Sequence, residues 1–366
     1  MSLTLPLSLI RITAADAIAD LGRFDTIVDA RSPGEFAEDR LPGAVNWPSL
    51  DDAERVTVGT EYAQVSAFDA KKRGAALVAR NVAAHIDRHV LELPREWSPL
   101  VYCWRGGQRS NALGLVLSQI GFRVHILEGG YQAFRRALVA ALDTLPATLS
   151  FVVVCGTTGS GKSLLLRALA ERGEQVLDLE ALANHRGSVL GLVPGEVQPS
   201  QKAFDTAVWD ALRKLDPARP VFVESESAKV GDLRVPPTLT EWMRASPCVW
   251  LDLSMDARVA LLMREYDFFV RDVAAFCARL DALRVLRGHE AVNAWQESAR
   301  NGRIEWVVRD LLASHYDPIY LQSMGRNFAG TTTLLADILW DGSDAGLAAA
   351  AAKAAAAAFS PCAVRR

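Results

Sequence analysis

The run Gly156, Thr157, Thr158, Gly159, Ser160, Gly161, Lys162, Ser163 constrains the fold more than any other stretch of the chain. It fits G-x-x-x-x-G-K-[ST] at every position. A loop of this kind works only between a buried strand and a helix. Its backbone N–H groups wrap a diphosphate, Lys162 reaches the oxygens, and Ser163 could ligate Mg²⁺. The flanks agree: Phe151-Val-Val-Val-Cys155 reads as a buried strand and Lys162 to Arg172 as a helix. Val221-Phe-Val-Glu224 and Cys248-Val-Trp-Leu-Asp-Leu253 read as further buried strands. From Asp256 to His315 the pattern is helical, with Arg balanced by Asp and Glu, which describes a solvated face and argues for no partner.

The first part of the chain repeats the strand–helix alternation. Thr26-Ile-Val-Asp29, Leu100-Val-Tyr-Cys103 and Arg123-Val-His-Ile-Leu127 read as strands. Ser110 to Ile120 has helical spacing and Gly121 stops it; Tyr131 to Leu142 is a second helix. Alternation of this kind implies a parallel sheet covered on both faces. Thr144-Leu-Pro-Ala-Thr148 reads as a linker, and 366 residues suit two domains at roughly 100–200 residues each. The expected division is 1–145, 146–340 with a helical C-terminal part, and an Ala-rich tail, 341–366. Residues 347–358 read LAAAAAKAAAAA, a low-complexity run expected as a frayed helix or loose, flexible tail.

The second chemical feature is Cys103, Trp104, Arg105, Gly106, Gly107, Gln108, Arg109, Ser110, running from a strand directly into a helix. Backbone N–H groups in a Gly-containing loop can curl around an anion, and the following helix adds its positive end. Arg105 and Arg109 add formal charge. Cys103 at the head of such a loop is expected to be largely thiolate and nucleophilic, with the loop holding an oxyanion beside the attacked atom. Cys155, Cys248, Cys277 and Cys362 lack that setting and read as small core hydrophobes. Five cysteines without a CxxC pair argue against a disulfide framework or a structural zinc site, and a reducing compartment fits. Together with a start that lacks a signal-peptide pattern, this makes a cytoplasmic, non-membrane chain the expectation. A net charge of −3 neither attracts nor excludes nucleic acid.

Asp29-Ala-Arg-Ser-Pro-Gly-Glu-Phe36, Leu41-Pro-Gly-Ala-Val-Asn-Trp-Pro48, the Cys103 loop and Glu128-Gly-Gly-Tyr131 resemble the rhodanese domain over about residues 10–140. That resemblance implies sulfur or selenium transfer through the loop cysteine, with Asp29 and Arg31 mainly structural; a surface salt bridge is the plainer account of that pair. Phosphatases and arsenate reductases also use a Cys-x5-Arg loop, and the Asp-x-Arg and Leu-Pro-Gly-Ala stretches favour the rhodanese side. The fold class is therefore α/β: a rhodanese-like parallel-sheet domain followed by a P-loop NTPase-like domain. The fusion itself, with Glu54–Tyr62, Leu179–Ser188, Val223-Glu-Ser-Glu-Ser227 and His315-Tyr-Asp-Pro-Ile-Tyr320, resembles the tRNA 2-selenouridine synthase family over about residues 10–340.

The family resemblance implies a transferase acting on 2-thiouridine at the wobble position of tRNA. It would geranylate the sulfur with geranyl diphosphate, then replace the S-geranyl group by selenium from selenophosphate through a selanyl-Cys103 intermediate. A selenophosphate-producing enzyme is a candidate partner. ATP or GTP is the default occupant of such a P-loop, which equally suits the diphosphate of geranyl diphosphate, and the anion loop suits selenophosphate. Supporting candidates in the P-loop cleft are His185, Arg186, Glu224 and Glu226, with a satisfied loop histidine and a salt-bridged loop as the simpler accounts. Trp104 either shapes substrate entry or packs on the sheet. Lys71, Lys72, Arg73, Arg80, Arg88 and Arg95 could contact RNA phosphates or form an ordinary charged helix face. The competing readings are a Cys-dependent phosphatase or arsenate reductase, and a sulfur carrier, each coupled to a nucleotide-binding domain.

Overall fold

The computed structural model describes residues 9–187, 191, 195–225 and 227–359. They divide into two units: one runs to Ala141 and includes Asp205–Asp210, and the other takes Leu142–Phe204 and the chain from Ala211.

In the first unit, β1 (Ile10–Ile12), β2 (Thr26–Asp29), β3 (Ala44–Asn46), β4 (Pro99–Tyr102) and β5 (His125–Leu127) form a sheet ordered β1-β5-β4-β2-β3. Every pairing is parallel. β4 is buried at all four positions, as a central strand covered on both faces must be. Val28, Val101 and Ile126 pack with Val82 of the helix Ala67–His89 and with Leu113 and Leu117 of the helix Gln108–Ile120. Each fully buried leucine of this kind contributes about 1.5–3 kcal/mol. The helix Gln108–Ile120 ends on Gly121 in the left-handed region, as the sequence predicts.

In the second unit, β6 (Ser150–Cys155), β7 (Gln175–Leu177), β8 (Pro220–Glu224), β11 (Pro247–Asp252) and β12 (Gly330–Leu339) form a second parallel sheet ordered β12-β11-β6-β8-β7. β9 (Lys229–Val230) and β10 (Leu233–Arg234) make a small antiparallel ribbon. Helices between Met255 and Leu311 build a separate apolar cluster around Phe276, Leu280, Trp295 and Val307. The expected linker is a 3₁₀ turn, Leu145–Thr148, with Pro146 buried.

The alanine-rich stretch is not a loose tail. Asp344–Ala358 is a helix whose Ala350, Ala351, Ala354, Ala355 and Ala358 are buried against Val152, Leu165 and Leu169. The spacing of those five alanines marks one face of a helix. Small side chains let its backbone approach the core closely. Pattern analysis misses the face because alanine on every side leaves no apolar–polar contrast. Cys362 lies outside the described residues. Among the described residues no helix is long and apolar enough to cross a membrane.

Candidate active site

β4 delivers Cys103 to the C-terminal end of the first sheet, where loops of parallel sheets carry ligands. The loop that follows is clamped to the turn at Gly129-Gly130. Tyr131 N–H donates to the Cys103 carbonyl at 2.8 Å and Gln132 N–H to that of Trp104 at 3.1 Å. The approach requires glycine: Gly130 has φ +56°, and a Cβ there would collide with the Cys103 carbonyl oxygen. Cys103 is 3% exposed. Its Sγ accepts the Gly107 N–H at 3.3 Å, and the Ser110 hydroxyl lies 3.2 Å away. That hydroxyl is equally close to the Gly107 carbonyl, so its single proton serves one acceptor at a time. No side chain caps the helix beginning at Gln108, which leaves its first turn to an incoming anion.

The arginines stand differently from the expectation of charge aimed at the loop centre. Arg109 Nη1 donates to Glu35 Oε2 at 2.9 Å, and Arg105 Nε to Gln132 Oε1 at 3.3 Å. Burial alone would raise the Glu35 pKa, but the Arg109 bond and charge, with the Ser32 N–H, hold it below the ordinary carboxylate value. Trp104 stacks on Tyr131 at 5.4 Å between centroids. Asp29 and Arg31 are 0% and 1% exposed, so the pair is no surface salt bridge. Arg31 Nη2 donates to Asp29 Oδ2 at 2.7 Å and to the Asp39 carbonyl at 2.5 Å, and its guanidinium lies 4.0 Å from the centre of the Tyr131 ring.

In the second unit, β6 feeds the loop Gly156–Gly161 and the helix Lys162–Glu171. Donors outside the loop hold its carbonyls. Arg258 donates to Thr158 O at 2.9 and 2.7 Å, and Trp340 Nε1 to Ser160 O at 2.9 Å. A trans peptide points its N–H opposite to its C=O, so the amides of Gly159 and Gly161 turn the other way. Gly161 has φ +91°, and a Cβ would lie 2.6 Å from the Trp340 ring. Arg258 is itself fixed by two bonds to the Asp317 carboxylate at 2.9 and 2.6 Å. The Tyr320 hydroxyl accepts the Gly156 N–H at 3.0 Å and lies 2.7 Å from Ser225 Oγ. Lys162 Nζ donates to Gly156 O at 2.8 Å and sits 5.2 Å from the centre of the Tyr320 ring. The Ser163 hydroxyl faces Glu180 Oε2 at 2.9 Å and Glu224 Oε2 at 3.4 Å. Burial raises the Glu180 pKa, against the Ser163 bond and the Lys162 charge.

These groups border a cavity of about 830 Å³. His185 and His315 line it, and burial lowers the pKa of both, in His185 outweighing the pull of Asp232. Arg287 Nε donates to His315 Nδ1 at 2.8 Å. Arginine can only donate, so neutral His315 carries its proton on Nε2. Thr158, Leu262, Tyr266 and Tyr316 also line a second, apolar pocket of about 70 Å³ walled by Phe269, Phe276, Ile304 and Leu311. Among the described residues no cluster of three or more His, Cys, Asp or Glu could hold a metal ion.

A family model described as tRNA 2-selenouridine synthase AAA domain matches residues 149–284, and one described as rhodanese-like domain matches residues 13–137. A curated tRNA 2-selenouridine synthase of a Sulfurovum species is 32% identical over 332 residues, covering 82% of this chain and 89% of that one. The Alcanivorax borkumensis protein of that name is 31% identical over 356 residues, covering 88% and 94%. The Cupriavidus necator one is 39% identical over 243 residues, covering 66% and 65%. The chain belongs to the tRNA 2-selenouridine synthase family. The family resemblance and the fold class read from the motifs are both borne out.

Within this member of the family, Cys103 to Ser110 form one loop and Gly156 to Ser163 another, with Glu224 and His185 beside the second. Arg186 also borders the P-loop cavity, but its Nη1 donates to Glu265 O at 2.5 Å and its guanidinium lies over Tyr266. Glu226 and Ser188 lie outside the described residues. Lys71, Lys72, Arg73, Arg80 and Arg88 fall on the helix Ala67–His89, where Lys72, Arg73 and Arg80 pair with Asp69, Glu61 and Glu54; Arg95 lies beyond its end. Sequence reasoning misses Arg258, Asp317, Trp340 and the Arg287–His315 contact. Arg258 meets Thr158 across 100 residues and Trp340 meets Ser160 across 180, separations at which no local spacing rule operates.

Proposed function

We propose that this chain is a transferase that converts wobble 2-thiouridine in tRNA to 2-selenouridine in two steps. In the first, the thione sulfur attacks C1 of geranyl diphosphate, a C–S bond forms, the C–O bond breaks, and diphosphate leaves into the P-loop. In the second, the Cys103 thiolate attacks phosphorus of selenophosphate, an S–P bond forms and the Se–P bond breaks; the freed hydrogenselenide attacks C2, a C–Se bond forms, the C–S bond breaks and geranylthiol leaves, and water then releases phosphate from Cys103. The observation that carries this reading is the apolar pocket that opens beside the P-loop cavity. A nucleotide needs a site for a polar base and ribose. A wall of Phe269, Phe276, Ile304 and Leu311 gives the first carbons of a hydrocarbon chain attached to a diphosphate an apolar seat that a base or ribose would not fill.

The donor set beside the loop fits one hard divalent cation, because two carboxylates converge on the Ser163 hydroxyl and burial disfavours charge on Glu180. Mg²⁺ bound by Ser163, Glu180 and Glu224 would neutralise charge on the diphosphate. The chain's own residues have separate tasks: Lys162 and the loop amides take the leaving group, and Gly107 and Ser110 donate to Cys103. A selenophosphate-producing enzyme would supply the second substrate.

Nucleoside mass spectrometry on thiolated tRNA tests the division of labour. Lys162→Ala should abolish the geranylated nucleoside. Cys103→Ser should leave it in place while selenium incorporation stops. The opposite pattern, with Cys103→Ser losing geranylation and Lys162→Ala retaining it, would overturn the proposal.

A further inference from the structure

Arg244 is the unexplained charge in the P-loop cavity. It lies in the last turn of the helix Pro237–Ala245 and lines the cavity wall. Its Nε is buried with no hydrogen-bond partner, and no ion pair engages its guanidinium among the described residues. The neighbouring arginines differ: Arg186 donates to Glu265 O, and Arg167 Nε to Ser163 O at 3.4 Å. Arginine stays charged at any pH a protein survives, so it cannot escape desolvation by losing its proton. A guanidinium held half-buried and unpaired is costly unless a ligand anion completes it.

Its place in the fold selects the anion. The helix Asp317–Asn327 has 11 residues, which makes it about 16 Å long. Its first residue, Asp317, is tied through Arg258 to Thr158 at the tip of the P-loop. Just beyond its last residue, Ala329 N–H donates to the Arg244 carbonyl at 3.0 Å. β11 runs parallel to β6 with Trp250 beside Cys155, so the backbone of Arg244, before β11, and the P-loop, after β6, lie beyond opposite ends of the sheet. The two phosphates of a diphosphate share a bridging oxygen, and the pair is shorter than a strand. An RNA strand carries a phosphate on each side of every nucleotide. A cavity of about 830 Å³ lies near the top of the range for small-ligand sites, about 300–1,000 Å³, and leaves room for a second occupant.

We propose that Arg244 binds a phosphodiester of the RNA strand beside the nucleotide being modified, as a positioning residue that brings that nucleotide to the P-loop. The inference rests on the proposed role of the P-loop as the diphosphate holder.

The test is equilibrium binding of an unmodified anticodon stem–loop RNA over a range of salt, with inorganic pyrophosphate as a separate probe. One lost phosphate contact should lower the slope of log affinity against log salt by about 0.7–0.9. Arg244→Gln should show that drop, bind RNA about tenfold more weakly at low salt, and keep wild-type pyrophosphate affinity. Arg244→Lys, which keeps the charge, should keep the slope. A misfolded variant would instead lose both ligands, and in that case the conserved or altered slope of Arg244→Lys and Arg244→Met decides. An unchanged slope in the neutral variants, or a loss of pyrophosphate affinity in a folded one, overturns the proposal. Lys162→Ala reports on the other reading: it should lose pyrophosphate and keep the RNA slope. If it retained pyrophosphate, the P-loop assignment would fail while the Arg244 slope stayed readable.

Discussion

Replacing Arg258 by Met should damage the P-loop in two separable ways. Arg258 and Asp317 are 6% and 18% exposed at their side chains. The guanidinium makes two bonds to that carboxylate and two to Thr158 O. Removing one member of a buried pair costs about 3–5 kcal/mol, because the other charge is left without a partner. Asp317 keeps some hydration, which places Arg258→Met near the lower end, about 3 kcal/mol. Adding Asp317→Leu removes the orphaned charge and should return about 1.5–3 kcal/mol. It does not return the donor to Thr158. Pyrophosphate affinity should therefore stay about tenfold down in the double variant, since the loop has lost pre-organisation. Stability is best read by hydrogen exchange at β6 in increasing urea, because a two-unit chain need not unfold in one step. Loss of less than about 0.5 kcal/mol, or a double variant that recovers full pyrophosphate affinity, would refute the anchoring argument.

Three further outcomes are expected. Ser110→Ala takes away one of the two donors near Cys103 Sγ and should slow alkylation of Cys103, read by peptide mass spectrometry, by about tenfold; an unchanged rate would count against that contact. Glu180 has its folded pKa raised above the unfolded value of 4.5, so its folded form binds more protons and stability falls as pH rises through that window. Glu180→Gln should accordingly stabilise the second unit at neutral pH, with the gain vanishing below the unfolded value; thermal melts across pH decide it. Ala354→Lys places a charge on the buried face of the C-terminal helix and should cost about 2–4 kcal/mol in a urea melt, whereas a wild-type melt would mean that face is not packed.

Both candidate loops are legible in the sequence for one physical reason. Backbone N–H groups, glycines and a helix start are consecutive in the chain, so Cys103–Ser110 and Gly156–Ser163 carry their chemistry in local order. The strands beside them, β2, β4, β6, β8 and β11, are equally legible as apolar runs. β12 is not, because Gly330-Thr-Thr-Thr-Leu-Leu-Ala-Asp-Ile-Leu339 is half exposed and lacks a clean period. The partners of the loop residues are not legible either. Arg109 reads as charge for the anion site, yet Glu35, 74 residues away, takes it. Ser163 reads as a lone hydroxyl, and only the sheet order β6-β8 brings Glu224 to it. The buried alanines of the last helix fail for a third reason, a missing polar face to contrast with.

The most direct test of the account is calorimetric titration of the wild-type chain with geranyl diphosphate, inorganic pyrophosphate and ATP under one set of conditions. The small pocket beside the P-loop should bury about three or four carbons of a hydrocarbon tail at about 0.8 kcal/mol each, about 2.7 kcal/mol together, so geranyl diphosphate should bind about a hundredfold more tightly than pyrophosphate. ATP should gain no such advantage. Should ATP bind most tightly, with geranyl diphosphate no better than pyrophosphate, the P-loop would be a nucleotide site and the proposed first step would have no place in this protein.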